Sequence, residues 1–321
     1  MGCETEVRIG GHEVSELSPF EQAMHFPELA MHGIDAVSDV PASDAVCIFG
    51  VDASSVAGDV LSDMSDELSD APVSMVCDGR VPGWVGPGTL GVIISYTGSC
   101  GQMLDVYEEL RRRGSSVICL TSGGELASAC GRDGTAVVPI PSGMTPQSAT
   151  GFVLGAVASI VERAGVFDAA GSLSCDLRAL EGFGDECIGR AEPLAGLLRD
   201  RVVAVYSTSD IHACSRRWKM SLAGHASCLA FSGELPEFDH NELVGWSDPN
   251  EHAPGLAMVV LRGTGRPGLV PVIVECMLEV LGENGRDVVE VDVGTGSSAL
   301  RNIRGIMLGD SLSYLMGGAQ R

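Results

Sequence analysis

Leu90-Gly91-Val92-Ile93-Ile94-Ser95-Tyr96-Thr97-Gly98-Ser99-Cys100-Gly101 is the stretch on which the fold turns. Leu90 to Ile94 reads as a short buried strand. The seven residues that follow hold four hydroxyl side chains and two glycines before a helix opens near Ser99. That density exceeds what a helix cap or a turn needs. Strand, polar turn and helix in this order make a phosphate seat, because backbone N–H groups and hydroxyls converge at a helix N-terminus. A second turn of the kind precedes it: Ile48-Phe49-Gly50-Val51-Asp52-Ala53-Ser54-Ser55-Val56-Ala57-Gly58-Asp59. It is a weaker phosphate seat on its own, because Gly and Ser also cap helices for structural reasons.

Outward from these turns, short apolar runs alternate with helical stretches, the pattern of parallel strands joined by crossover helices. Strands are expected at 45–49, 73–77, 90–95, 117–120 and 136–140, with helices opening near Ser54, Ser99 and Glu125. Thr145-Pro146 opens a long apolar helix to Arg163, with proline suited to a first turn. A second set follows, with strands at 202–206, 227–231, 257–261 and 288–291 and helices at 210–222, 268–281 and 300–316. The fold class is therefore α/β, with two doubly wound parallel-sheet lobes in three α/β/α layers: residues 1–165, a helical connector at 166–200, and residues 201–321.

Composition narrows the function. The chain has 321 residues, 45% of them hydrophobic and 20% charged, and a mean hydropathy of +0.21, which excludes a disordered chain. A net charge of -23 makes nucleic acid an improbable partner. A small phosphorylated ligand is still compatible, since backbone N–H groups bind phosphate in an acidic protein. The eleven cysteines form no CxxC and no Cys/His ligand spacing, so they read as reduced thiols, with neither a metal nor a cofactor expected. Met1 to Glu6 lacks an apolar leader core and no window offers about 18 unbroken apolar residues, so a cytoplasmic location without membrane insertion is expected. The acidic runs Asp63 to Asp70 and Glu283 to Asp292 read as solvated faces.

The two turns resemble those of the bifunctional phosphoglucose/phosphomannose isomerases, members of the sugar isomerase (SIS) fold. Their first lobe carries G-M-G-G-S-A-I-G-G-D and S-Y-S-G-N-T-E-E-T. Gly50, Ser54, Gly58 and Asp59 match the first; Ser95, Tyr96, Thr97 and Gly98 match the second. The resemblance continues through Thr121-Ser122-Gly123-Gly124, Ile140-Pro141-Ser142-Gly143 and Arg217-Trp218-Lys219. It extends to Pro236-Glu237-Phe238-Asp239-His240-Asn241-Glu242 and to Leu308-Gly309-Asp310-Ser311-Leu312-Ser313-Tyr314-Leu315. It implies SIS-type lobes, a sugar phosphate ligand and a homodimer. Gly50, Ser54, Ser95, Thr97, Gly98 and Ser99 would seat the phosphate, and His240 would assist ring opening.

The resemblance also exposes departures. Gly224 stands where the family carries its glutamate base, Gln147 where it carries an arginine, and Asp52-Ala53 where it carries G-G. The C-terminal lobe is expected to lack the terminal helix bearing the family's L-K pair. His225, next to the vacant position, is a candidate substitute base, and Glu237 and Glu242 lie near His240. Three functions stay open: an aldose–ketose isomerase acting on hexose 6-phosphates, a catalytically degenerate phosphosugar sensor or scaffold, or an enzyme whose altered phosphate turn accepts a different acid sugar.

Overall fold

The computed structural model describes residues 7–247, 255–264, 268–285 and 288–318. Cys3, the acidic start and part of the 283–292 run lie outside them. The chain divides into two compact units, Met1–Glu181 and Gly182–Arg321.

The first unit opens with the short antiparallel pair β1 (Arg8–Ile9) and β2 (His12–Glu13), then α1 (Pro19–Met24) and α2 (Phe26–Asp35). Its body is β3 (Ala45–Phe49), α3 (Ala53–Leu68), β4 (Val73–Val76), β5 (Thr89–Ile94), α4 (Gly101–Arg112), β6 (Ser116–Thr121), α5 (Gly124–Asp133), β7 (Ala136–Pro139), α6 (Thr150–Arg163) and α7 (Ala169–Arg178). The sheet order is β4-β3-β5-β6-β7, all parallel. Alternate residues of β3 serve opposite faces. Cys47 and Phe49 join Met103, Tyr107, Leu126 and Cys130 under α4 and α5, whereas Ile48 approaches Gly58 of α3. Both faces are thus covered, which is why these strands read as unbroken apolar runs.

Two expectations change here. The helix expected from Thr145-Pro146 begins instead at Thr150. Thr145 and Ser148 exchange side-chain hydrogen bonds, Thr145 N–H to Ser148 Oγ at 3.0 Å and Ser148 N–H to Thr145 Oγ1 at 3.1 Å, and close a turn first. Asp63, expected on a solvated face, is buried. Its helix packs against both α6 and β4, and of the run's acidic residues only the later Asp66 and Asp70 are exposed.

The second unit contains α8 (Phe183–Leu198), β8 (Val202–Thr208), α9 (His212–Ala226), β9 (Ala230–Leu235), α10 (Glu237–Asn241), α11 (Leu243–Ser247), β10 (Leu256–Thr264), α12 (Leu269–Glu283), β11 (Val288–Thr295) and α13 (Ser298–Met316). Its sheet order is β11-β10-β8-β9, again parallel. One face lies under α9 and α13; the other carries Tyr206, Phe238, Met258, Val260, Val274 and Met277 beneath α10 and α12. The 166–200 stretch is two packed helices, one in each unit. The helix α7 packs on α6, and α8 lays Phe183, Cys187, Ala191, Ala195 and Leu198 down one buried stripe along α13. The strand expected at 227–231 runs from 230 to 235, because α9 persists to Ala226 and ends on Ser227 at φ 49°. Leu229, whose apolarity suggested a strand core, is 61% exposed.

Candidate functional site

The order β4-β3-β5-β6-β7 has its reversal between β3 and β5, since β3 feeds α3 on one face and β5 feeds α4 on the other. Ligands of doubly wound sheets sit in that crevice, at the carboxyl ends of the strands. Both sequence-predicted turns land there, on neighbouring strands. Gly50 sits against the end of β5, the strand that feeds the 95–101 turn: a Cβ built on it would lie 3.2 Å from Ser54 Cβ and 3.4 Å from Ile94 Cβ.

The 95–101 turn is a rigid cradle. Gly98 N–H donates to the Ser95 carbonyl at 3.0 Å, and Leu126 N–H donates to the Gly98 carbonyl at 2.9 Å. Gly98 has φ 64°, and a Cβ there would fall 1.9 Å from the Gly123 carbonyl oxygen. Only glycine fits that position. Gly124, at φ 73°, makes the reciprocal approach to the Thr97 carbonyl, so the loops after β5 and β6 touch backbone to backbone. Tyr96 anchors a third loop: its hydroxyl donates to the Pro141 carbonyl at 3.2 Å and accepts Met144 N–H at 2.9 Å. Burial pushes that phenol above its ordinary value. Ser95 is buried, while Thr97 and Ser99 are exposed.

Sequence reading pointed to N–H donors at this helix start but did not say which of them are open. At the start of α4, Met103 and Leu104 N–H groups already donate to the Cys100 carbonyl at 3.0 and 3.1 Å, whereas those of Gly101 and Gln102 have no hydrogen-bond partner among the described residues. Orphan donors at a helix N-terminus are an anion seat when side-chain hydroxyls surround them. The loop glycines were the available signal, since they permit such close backbone approach.

In the second unit His240 stands exposed on α10, just past the carboxyl end of β9. Tyr206 of β8 fixes this region. Its hydroxyl donates to Glu242 Oε2 at 2.5 Å and accepts from Trp246 Nε1 at 3.2 Å, with its ring edge-on to Phe238 at 4.6 Å. Burial and the Glu242 carboxylate together push the phenol up. Beside α10 lies a polar pocket of about 380 Å³ whose walls include His212, Arg216, Glu234, Glu237, Asn241 and Glu242. Asp239 Oδ1 is buried with no hydrogen-bond partner among the described residues, and burial raises that carboxyl's pKa. Among the described residues no group of three His, Cys, Asp or Glu side chains is placed to hold a metal ion.

His225 is not brought to His240. It ends α9, which runs back from the carboxyl edge of the sheet, so it lies at the opposite edge. Its Nδ1 is 3.0 Å from Ser313 Oγ and its ring stacks on Tyr314 at 3.9 Å. Gly224 is exposed at the same edge, with nothing within 4 Å of an added Cβ. Burial holds His225 below its ordinary pKa of 6.5, helped by Arg217 and opposed by Asp310. The unfolded chain therefore takes up the proton first as the pH falls. Stability from the neutral imidazole is complete above about 6.5 and is lost as the pH drops through the lower folded value. Urea midpoints at pH 7.5 and 5.5 are expected to differ less for His225→Gln than for the wild type. Identical pH slopes would remove this role.

Arg217-Trp218 and Leu308-Gly309-Asp310 prove to be a packing joint. Arg217 donates to Asp310 through Nε and Nη2, each at 2.8 Å, and Ser221 Oγ donates to the same carboxylate at 2.6 Å. Trp218 Nε1 donates to the Gly305 carbonyl at 2.7 Å, and its ring covers Gly309, where a Cβ would lie 2.3 Å from Cδ1. These motif residues hold α9 on α13.

Comparison with known proteins agrees with this architecture. A family model described as the bacterial phospho-glucose isomerase C-terminal SIS domain matches residues 189–320. The bifunctional phosphoglucose/phosphomannose isomerase of Aquifex aeolicus is 28% identical over 218 residues, 67% of this chain and 66% of that one, so just under two thirds of that relative is spanned. The enzyme of the same name from Caldicellulosiruptor bescii is 25% identical over 259 residues, 75% of this chain and 76% of that one. Among solved structures, a hypothetical protein from Thermus thermophilus superposes with a TM-score of 0.68 at 15% identity, covering 94% of this chain and 86% of that one. The C-terminal domain of glucosamine-fructose-6-phosphate aminotransferase from Francisella tularensis gives a TM-score of 0.67 at 12% identity, covering 94% of this chain and 97% of that one. These superpositions establish a shared fold.

Proposed function

We propose a function from one premise: the chain is a divergent member of the bifunctional phosphoglucose/phosphomannose isomerase family. It binds a hexose 6-phosphate and interconverts its aldose and ketose forms. The observation that carries the reading is the 95–102 loop, which holds the hydroxyls of Ser95, Thr97 and Ser99 and the unpartnered N–H groups of Gly101 and Gln102 at a sheet switch point. Those groups hold the phosphate, with Gly50 and Ser54 on the facing turn and Gly98 keeping the cradle's backbone close-packed. The N-terminal dipole of α4 favours the anion.

Ring opening moves a proton from the O1 hydroxyl to the ring oxygen, the step assigned to His240. Isomerisation then removes the proton at C2, passes through an enediol and returns a proton to C1. Gly224 supplies no base, His225 is committed to Ser313 and Tyr314, and Glu242 accepts the Tyr206 hydroxyl, so this reading gives the proton transfer to Glu237, an exposed carboxylate of the pocket beside α10. Activity is proposed for a cytoplasmic homodimer, the reduced cysteines favouring the compartment and the resemblance implying the dimer.

A thermal-shift panel of glucose, mannose and fructose 6-phosphates is expected to raise the melting temperature. Ligand at 100 times its Kd adds about 2.7 kcal/mol. A coupled assay should then detect interconversion. Stabilisation without turnover at high protein concentration would leave a binding protein, and no stabilisation by any of the three would sink the phosphosugar reading.

A further inference from the structure

We propose that Asp52 is a specificity-determining residue of the phosphate cradle: its carboxylate weakens binding of a doubly charged phosphate monoester more than that of a singly charged anion of the same shape. The inference rests on the phosphosugar reading above. Asp52 holds φ 54° and ψ −133°, a backbone conformation that side chains rarely adopt and glycine reaches freely. Nothing local offsets that cost. The side chain accepts no capping hydrogen bond from α3 and is exposed. Its carbonyl does the local work, accepting Ser55 N–H at 2.9 Å and Ser55 Oγ at 2.8 Å, and any residue's carbonyl could do the same. What aspartate adds over glycine at this turn is a negative charge.

That charge stands on the turn after β3, the strand paired with the one that feeds the cradle. Phe49 pairs with Ile93 in the parallel register of β3 and β5, and neighbouring strands lie about 4.8 Å apart. Asp52 is two residues beyond Gly50, Ser95 is one beyond Ile94, and a Cβ on Gly50 would sit 3.4 Å from Ile94 Cβ. Backbone reach then bounds Asp52 to within about 16 Å of the start of the cradle. The nearby loop after β4 does not cancel the charge, since Arg80 there is paired with Asp78. Repulsion grows in proportion to ligand charge, so a dianion loses twice the binding free energy of a monoanion. The hydroxyls and N–H groups attract both ligands. Asp52 therefore sets the ratio.

Isothermal titration with glucose 6-phosphate and glucose 6-sulfate, at low salt and pH 8 where the phosphate is doubly charged, compares the full wild-type chain with Asp52→Asn and Asp52→Gly. Asparagine keeps the shape and tolerates positive φ; glycine also relieves the backbone. Both variants are expected to bind the phosphate about three- to tenfold more tightly and to gain about the square root of that factor for the sulfate. About 0.5 M salt should shrink both gains. No gain in Asp52→Asn, or equal gains for the two ligands, overturns the inference while the phosphosugar reading stands. No binding of either ligand by any of the three proteins overturns that reading and the inference with it.

Discussion

Asp310→Ala is expected to destabilise the second unit by about 3–5 kcal/mol, the cost of leaving one member of a buried ion pair without its partner. Arg217 has a side chain 0% exposed and Asp310 one 2% exposed, so water cannot replace the lost carboxylate. The guanidinium would lose two bonds at 2.8 Å, and Ser221 its 2.6 Å acceptor. The joint between α9 and α13 is the part affected, and Trp218 sits inside it. Urea unfolding followed by far-ultraviolet circular dichroism measures the loss. A change below about 1 kcal/mol, typical of an exposed pair, would contradict this account. The paired replacement Arg217→Met with Asp310→Leu is expected to recover most of the stability, because a buried ion pair contributes little net over an apolar pair of similar volume.

His240→Ala is expected to lower kcat/KM on hexose 6-phosphates by about 10²- to 10⁴-fold, the usual contribution of a positioned acid or base. Fold stability should barely change, since His240 is exposed and an exposed substitution moves stability by about 0.5 kcal/mol or less. That separation makes the experiment decisive. An equal loss of activity and of melting temperature would point to a structural histidine. Unchanged activity would remove His240 from the proposed ring-opening step. Supplying open-chain substrate should restore much of the variant's rate, because ring opening is the step at which the imidazole acts in this reading.

Much of the fold was legible because parallel strands buried on both faces leave unbroken apolar runs. Ala45 to Phe49 and Leu90 to Ile94 were placed within a residue of their observed bounds. The edge strand β9 was not. It is half exposed, with Phe231 at 55%, so its pattern does not separate from the end of the preceding helix. The N-terminal helices α1 and α2 were passed over as well. Their burial comes from packing on distant segments: Gln22 bonds the Gly143 carbonyl at 3.2 Å and accepts Ser148 Oγ at 2.6 Å. Periodicity within a short window carries no trace of such contacts.

The same division holds for the candidate site. Sequence by itself determined the alternation of strands and helices and the two Gly/Ser turns, since each depends on local conformational and capping preferences. Tertiary structure alone decided that both turns meet at one switch point, because strand order is set by which helices cover which face. It also decided that His225 and Gly224 lie at the far edge of their sheet from His240. A fifteen-residue helix, His212–Ala226, carries them there, and adjacency in sequence is lost once the chain runs back along its own strand.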